Sequence, residues 1–434
     1  LQPLYPGPFN IGPTAANLSS QLVIPIRYIT TSEGESANTT VIIRNTQTSR
    51  QWSLPVNAST GEAKKNAVSL VLDRSGSMNE DRGDGLPKVQ SLREAVDIFV
   101  DLMISGDGAS LIRYNQNAQE ILPVTAVGAI DDPLDPGRNN LKNTVNGSDF
   151  NPSGMTSIGD GINQGKQALN DASGFDQKSM IIVTDGKENS SVMISDVANL
   201  INERTYAVGI GQASNINVET LQSLTGSTGG YLLVTGSAIT GDNRFKLQKY
   251  FMQILAGVTN KEILFDPDGV LRPGQTDKIP FQVSDAETGI DVILLAPYAE
   301  GLTFVLEAPN GSIIEPQMVK QTDGIRFIAN RKVACYRIAL PLQTKQWTYE
   351  HIGRWNAVIS YPERLTHVGK PIPYSFNVHA FSDLNFNLRG ERCGKDSNTY
   401  RLDLNLQQYG LVDLPQAKEW VEATRPNGIT AQIP

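Results

Sequence analysis

Two short apolar runs each stop at an aspartate. Val68–Leu72 leads into Asp73-Arg74-Ser75-Gly76-Ser77, and Met180–Thr184 leads into Asp185-Gly186. Both read as buried strands separated by amphipathic helical segments, the pattern of a parallel sheet covered on its faces. The segment LPKVQSLREAVDIFVDLM keeps Val89, Leu92, Ala95, Val96, Phe99 and Leu102 on one helical face, with Pro87 in the first turn. ASLIRYN reads as the next strand, and a second amphipathic helix is expected from about Ile158 to Leu169. After MIIVTDG come a helix at SDVANLINER, the strand TYAVGIG, a short helix at VETLQSL, the strand GGYLLVT and a last helix near Asn243–Leu255. This alternation from about Ala63 to Asn260 predicts an α/β doubly wound, Rossmann-like domain.

In such sheets ligands sit beyond the carboxyl ends of the strands. Asp73, Ser75 and Ser77 fall on one side of the turn that ends the first run. The segment NPSGMTSIGDGI adds Thr156, and the second run adds Asp185. Three separated segments thus bring two carboxylates and three hydroxyls to one sheet edge. An all-oxygen set of this kind suits a hard divalent cation.

The stretch VSLVLDRSGSMNE resembles the DxSxS signature of a von Willebrand factor A domain, whose loop forms a metal-ion-dependent adhesion site. The resemblance implies that Ser75, Ser77 and Thr156 touch the metal directly. Asp73 and Asp185 would act through bound waters and hydrogen bonds that orient the hydroxyls. Ligand hardness makes Mg²⁺ the expected ion, with Mn²⁺ or Ca²⁺ as substitutes. Three neutral hydroxyls leave the ion under-neutralised, so the resemblance implies a protein partner that offers an Asp or Glu carboxylate. Met78, Gly154 and Gly186, beside the ligand positions, are expected to meet that partner.

SLVLDRSGSM, SGMTSIGDGI, VTDGKEN and SLTGSTGGYLLV are also similar to the calcium-activated chloride channel regulator family. So are DVILLAPYAEGLTFVLEAPNG and YRIALPL with GRWNAVI, in that family's β-sandwich. The similarity spans roughly residues 66–360, and bacterial surface proteins share this layout. That family's metallohydrolase needs HExxH, whereas His351, His367 and His379 stand isolated in β-like segments. The chain is therefore read as a binding module rather than an enzyme, at the cell surface or outside the cell. A structural subunit of a surface assembly, built by self-association, is the alternative.

The remaining sequence sets boundaries. Beyond Asn260 only short, turn-bounded strands follow, as in an all-β sandwich. The expected divisions are an extended lead-in with strands at 1–62, the A domain at 63–260, a sandwich at 261–382 and a partial β module at 383–434. The last of these is either a module cut off after about three strands or a partner of residues 21–56, and the second is preferred since unpaired edges are a liability. A net charge of −8 without a basic block argues against nucleic acid. No apolar run reaches the roughly 20 residues of a membrane span. The chain opens at Leu1 without a charged or apolar leader, as a processed or excised piece would. Cys335 and Cys393 could form one disulfide or remain two thiols. Gly209–Gly211 lacks the third glycine and early position of a dinucleotide turn, and no GxxxxGKS/T loop is present. Arg82-Gly83-Asp84 is read as a chance tripeptide, and Glu80, Asp81 and Asp84 as an acidic rim to the metal face.

Overall fold

The computed structural model describes residues 2–3, 26–27, 34–60, 64–83, 85–186, 188–202, 204–210, 224, 232–234, 245–284, 286–322, 324–340, 342, 351–362 and 369–382. Beyond these it describes the strand backbones 384–392, 400–408, 411–412, 421–424 and 430–433. The described chain divides into two compact units at Val258 and Thr259.

In the first unit, β1 (Gln2–Pro3) pairs with β2 (Ile26–Arg27), and β3 (Ser36–Arg44) forms a hairpin with β4 (Gln51–Ser59). The expected pairing of 21–56 with the C-terminal segment is not among the ladders of the described residues.

The doubly wound domain follows. Its strands are β5 (Asn66–Asp73), β6 (Gly108–Tyr114), β7 (Ala118–Ala126), β8 (Gln177–Thr184), β9 (Thr205–Gly209) and β10 (Leu232–Val234). They line up as β10-β9-β8-β5-β6-β7, all parallel except β7, which runs antiparallel to β6. From β5 the chain builds outward through β6 and β7, then crosses back to place β8 on the other side. β5 and β8 therefore flank the topological switch point, the crevice where such sheets bind ligands.

Helices α1 (Lys88–Leu102), α2 (Pro136–Val145), α3 (Ile158–Asp171) and α4 (Lys246–Val258) cover the sheet. Val71, Ile112, Tyr114, Ile162, Met180 and Ile182 form one core with α3. α1 and α4 pack on each other with Phe99 and Phe251 edge to face, centroids 5.9 Å apart. α3 approaches β5 closely because it presents glycines there. A Cβ on Gly165 would lie 2.6 Å from Val71 Cγ2.

Three local expectations change. The antiparallel β7 and the helix α2 were not foreseen. β7 is a half-buried edge strand interrupted by Pro123, so neither a continuous apolar run nor clean alternation marks it. Asp135 caps α2 by accepting from the Arg138 amide at 2.7 Å. SDVANLINER forms only a 3-10 segment, Ile194–Leu200, with a non-helical kink at Val197. Of the predicted short helix VETLQSL only Leu224 is described; residues 218–223, the segment QWTYE, Gly211, Asp84 and Cys393 lie outside the described residues.

The second unit is a sandwich of antiparallel sheets. Its strands are β11 (Glu262–Phe265), β12 (Asp268–Leu271), β13 (Thr276–Val283), β14 (Glu287–Leu295), β15 (Thr303–Glu307), β16 (Ile313–Ile314), β17 (Ile325–Ala329), β18 (Val333–Ala339), β19 (Gly353–Ser360) and β20 (Ile372–Ser382). One sheet runs β11-β20-β14-β18-β17 with β12 also on β20, and the other runs β13-β19-β15-β16. Phe281 of β13 stacks on Trp355 and meets Phe376 of the facing sheet at 6.1 Å. Tyr336 donates across to the Phe304 carbonyl at 2.9 Å. Cys335 is a buried free thiol. The tail adds a meander of β21 (Leu384–Arg392), β22 (Tyr400–Gln408) and β23 (Leu411–Val412), then a hairpin of β24 (Val421–Thr424) and β25 (Thr430–Ile433).

A buried ionic cluster sits inside the larger sheet. Lys261 donates to Asp291 Oδ2 at 2.5 Å, and Arg337 grips both Asp291 oxygens at 2.8 and 2.9 Å. His379, opposite Asp291 in the β14–β20 ladder, is buried, and its Nε2 has no hydrogen-bond partner among the described residues. Burial, reinforced by the Lys261 and Arg337 charges against the pull of Asp291, lowers its pKa from 6.5 to about 3. The unfolded chain thus binds a proton that the folded one refuses as pH falls from about 6.5 to about 3, and stability falls with it. We expect His379→Gln to flatten this slope, read as urea midpoints compared at pH 7 and pH 5. An equal loss in both proteins would assign the slope elsewhere.

Candidate metal centre

All five predicted positions meet at the carboxyl edge of β5 and β8. Asp73 ends β5, fully buried, and accepts the Ser75 amide at 2.7 Å and the Thr184 hydroxyl at 2.6 Å. The chain then turns through a 3-10 segment, Gly76–Asn79, which brings Ser77 back over Ser75 with their Oγ atoms 3.1 Å apart. Ser77 Oγ donates to Asp185 Oδ1 at 2.7 Å. Thr156 closes the ring: a Cβ on Gly186 would stand 3.7 Å from Ser77 Oγ and 3.8 Å from Thr156 Oγ1. Gly186 therefore leaves a small space lined by hydroxyl oxygen.

The supports are hydrogen bonds between loops. Gly76 N–H donates to the Gly154 carbonyl at 3.0 Å, and Ser153 N–H to the Arg74 carbonyl at 2.7 Å, which locks the Asp73 and Thr156 loops together. Asn189 and Thr156 pair twice, through Thr156 N–H to Asn189 Oδ1 at 2.8 Å and Asn189 N–H to the Thr156 carbonyl at 3.0 Å. Glu188 accepts the amides of Gly159 at 3.2 Å and Ile194 at 2.9 Å, tying the start of α3 to the segment after β8. Gly154 has φ +80°, and a Cβ there would fall 1.9 Å from Gln116 Oε1. Gly154→Ala is accordingly expected to cost about 1 kcal/mol or more. Differential scanning calorimetry would show it as a lowered melting temperature. An unchanged value would mean that the loop has an equally good second conformation.

Electrostatically the site is acidic, with both carboxylates buried. Burial, then the nearby negative Asp185, raises the Asp73 pKa to about 6 against the donors Thr184 and Ser75. Lys88, from the start of α1, donates to Asp185 Oδ2 at 2.8 Å and to Glu80 Oε2 at 2.6 Å. Burial alone would lower its pKa, but these two carboxylates outweigh that and raise it. Among the described residues no group of three or more His, Cys, Asp or Glu side chains converges, so a cation here would rely on hydroxyls.

The donor set fits a small hard cation. Neighbouring vertices of an Mg²⁺ octahedron lie about 3 Å apart, given metal–oxygen distances of about 2.1 Å. The Ser75–Ser77 separation of 3.1 Å is close to that. Asp73 and Asp185 lie behind the hydroxyls: Asp185 accepts from the Ser77 hydroxyl, and Asp73 holds the Ser75 loop by its amide.

The predicted partner contacts divide. Gly154 is exposed and Gly186 half-buried, at the mouth of the site. Met78 requires correction. The 3-10 turn directs its side chain inward, where it is fully buried, and it is a core residue. Met155, beside Thr156, is 56% exposed and takes the rim position instead. The acidic rim also changes, since Glu80 is paired with Lys88 and Asp81 accepts the amide of Gly85 at 3.2 Å. Arg82 of the RGD tripeptide donates to Ser91 Oγ at 2.7 Å. Sequence reading missed Thr184, Glu188, Asn189 and Lys88. Thr184 precedes Asp185 directly, Glu188 and Asn189 follow it within the same loop, and all three could have been found from their polar character near Asp185. Lys88 lies 97 positions from the carboxylate it binds and left no signal.

Comparison with known proteins identifies the family of this domain. Residues 68–252 match the family model of the von Willebrand factor type A domain. No curated protein matches the chain. Among solved structures, a von Willebrand factor type A protein of Catenulispora acidiphila is 14% identical, with TM-score 0.37, over 92% of this chain and 73% of that one. Proximal thread matrix protein 1 of the mussel byssus, with zinc in its MIDAS motif, is 17% identical, with TM-score 0.36, over 45% and 46%. The PilB minor pilin of Streptococcus sanguinis is 15% identical, with TM-score 0.36, over 52% and 78%. The strand order, the edge-located site and the matched segment together make residues 68–252 of this chain a von Willebrand factor type A domain.

Proposed function

We propose that Ser75, Ser77 and Thr156 bind one divalent cation, Mg²⁺ by default, and that the ion receives a carboxylate from a protein partner. The observation that carries this reading is the hydroxyl ring at the switch point, backed by two buried carboxylates, Asp73 and Asp185. Asp73 holds the Ser75 loop by its amide, and Asp185 holds the Ser77 hydroxyl. Neither need be a direct ligand, which leaves net positive charge on the ion. When bound, the cation supplies an open, electrophilic position for an anionic oxygen. Gly154, Met155 and Gly186 frame the approach, and a desolvated carboxylate–metal contact there would dominate affinity.

The role is binding, without a chemical step, at the cell surface or outside the cell. Among the described residues no helix is long and apolar enough to cross a membrane. Self-association is the second reading, favoured by the β3–β4 ribbon. Ile42, Trp52 and Leu54 on it are 58%, 41% and 49% exposed, and among the described residues its outer edges pair with no further strand. Strand addition from another copy would use those edges.

Calorimetric titration of Mg²⁺ and Mn²⁺ into chelator-treated protein tests the first reading. Saturable binding near one ion per chain is expected, lost in Ser77→Ala. Absence of binding by either ion, in this protein and in Lys88→Met alike, would remove the metal, and sedimentation over a range of concentrations would then test self-association.

A further inference from the structure

Asp185 is shared between two cationic demands. Its Oδ1 accepts from Ser77, on the side of the proposed cation, and its Oδ2 accepts from the Lys88 ammonium at 2.8 Å. The Asp185 side chain is fully buried and that of Lys88 is 15% exposed, so water screens this pair little. Glu80 holds the same ammonium from outside at 2.6 Å, with its own side chain 64% exposed. The result is a charge relay of fixed geometry, running from rim carboxylate to ammonium to buried carboxylate to hydroxyl.

We propose that Lys88 is a tethered counter-cation that sets the affinity of the site for divalent ions, with Glu80 as its outer balance. The proposal rests on the metal-site reading above. Without a divalent ion, Lys88 supplies the positive charge that buried Asp185 requires. With an ion in place, the ammonium repels it from beyond the shared carboxylate. The site is therefore weaker than its five-residue donor set alone would make it, and its metal-free form is stable. Glu80 draws the ammonium outward and reduces the repulsion.

Two variants have opposite expected signs. Lys88→Met keeps the apolar stem and removes the charge. Its Mg²⁺ dissociation constant should fall by at least about tenfold, a lower bound on the repulsion of the ion by one unit charge several ångströms away at an effective dielectric near 20. In chelator its melting temperature should drop, since Asp185 is left unpaired, and Mg²⁺ should restore more of it than in the parent protein. Glu80→Gln, an exposed and conservative change, should weaken Mg²⁺ binding several-fold, while Lys88→Arg should bind as the parent does. Calorimetry on the full chain reads all three. If the parent binds Mg²⁺ and folded Lys88→Met binds it equally or more weakly, Lys88 only positions Asp185 and the proposal falls. Equal binding by Glu80→Gln and the parent would overturn the role of Glu80 even if Lys88→Met fails to fold. If parent and Lys88→Met both lack saturable binding, the metal-site reading itself is overturned. Binding by Lys88→Met alone supports the proposal in its strongest form.

Discussion

Asp73→Ala is expected to weaken Mg²⁺ binding by roughly 100-fold, which a titration reads as loss of saturable binding, while the domain stays folded. The carboxylate is fully buried and holds the Ser75 amide and the Thr184 hydroxyl. Its removal frees the Ser75 loop from the end of β5 and takes away one of two buried negative charges behind the hydroxyls. Two donors lose their acceptor, at about 1–3 kcal/mol each. Relief of burying Asp73 beside Asp185 offsets part of this, because that proximity already raises its pKa. The core around Val71, Ile162 and Met180 does not involve the carboxylate. The cooperative unfolding transition should therefore persist with a modest shift. Unchanged Mg²⁺ affinity would remove Asp73 from the site, and loss of the whole transition would make its role chiefly structural.

Asp291→Ala in the sandwich should destabilise that unit by about 3–5 kcal/mol, the usual cost of removing one partner from a buried ion pair. Lys261 and Asp291 have side chains 1% and 2% exposed, and Arg337 is 18% exposed. Burial alone would raise the Asp291 pKa, but the two cations overcome it and hold the group well below the usual carboxylate range. Alanine removes the carboxylate that both cations bind and leaves the fully buried Lys261 ammonium without it. Replacing the cluster with apolar residues of similar volume, as in Lys261→Met with Asp291→Leu and Arg337→Met, should recover most of the loss. Urea unfolding followed by Trp355 fluorescence checks both variants. A single variant within about 1 kcal/mol of the parent would mean that water reaches the site and screens it.

The sandwich cluster and the candidate metal centre differ in how far sequence could show them. VSLVL before Asp73 and MIIVT before Asp185 are apolar enough to be buried strands, and the helices between them are long enough to make the strands parallel. A carboxylate directly after such a strand lies at the sheet edge, so the place where Asp73 and Asp185 meet was legible from local pattern, whereas Thr156 and the role expected of the hydroxyls came from the resemblance to the A-domain signature.

Other features depended on contacts that local pattern does not encode. Met78 sits two residues from Gly76 in a loop that reads as exposed, yet the 3-10 turn rotates it into the core. The β7 edge is half-buried, so its residues carry neither the period of a strand with one wet face nor the apolar run of a central one. Lys261 meets Asp291 across 30 positions, Arg337 meets it across 46, and Lys88 meets Asp185 across 97. Charged residues at such separations read in the sequence as ordinary surface groups. Periodicity and chain-local chemistry thus determined the doubly wound domain and its oxygen-rich edge. Burial and the partners of individual charges were decided only when distant segments packed, because desolvation and Coulomb energy depend on distances in space and not along the chain.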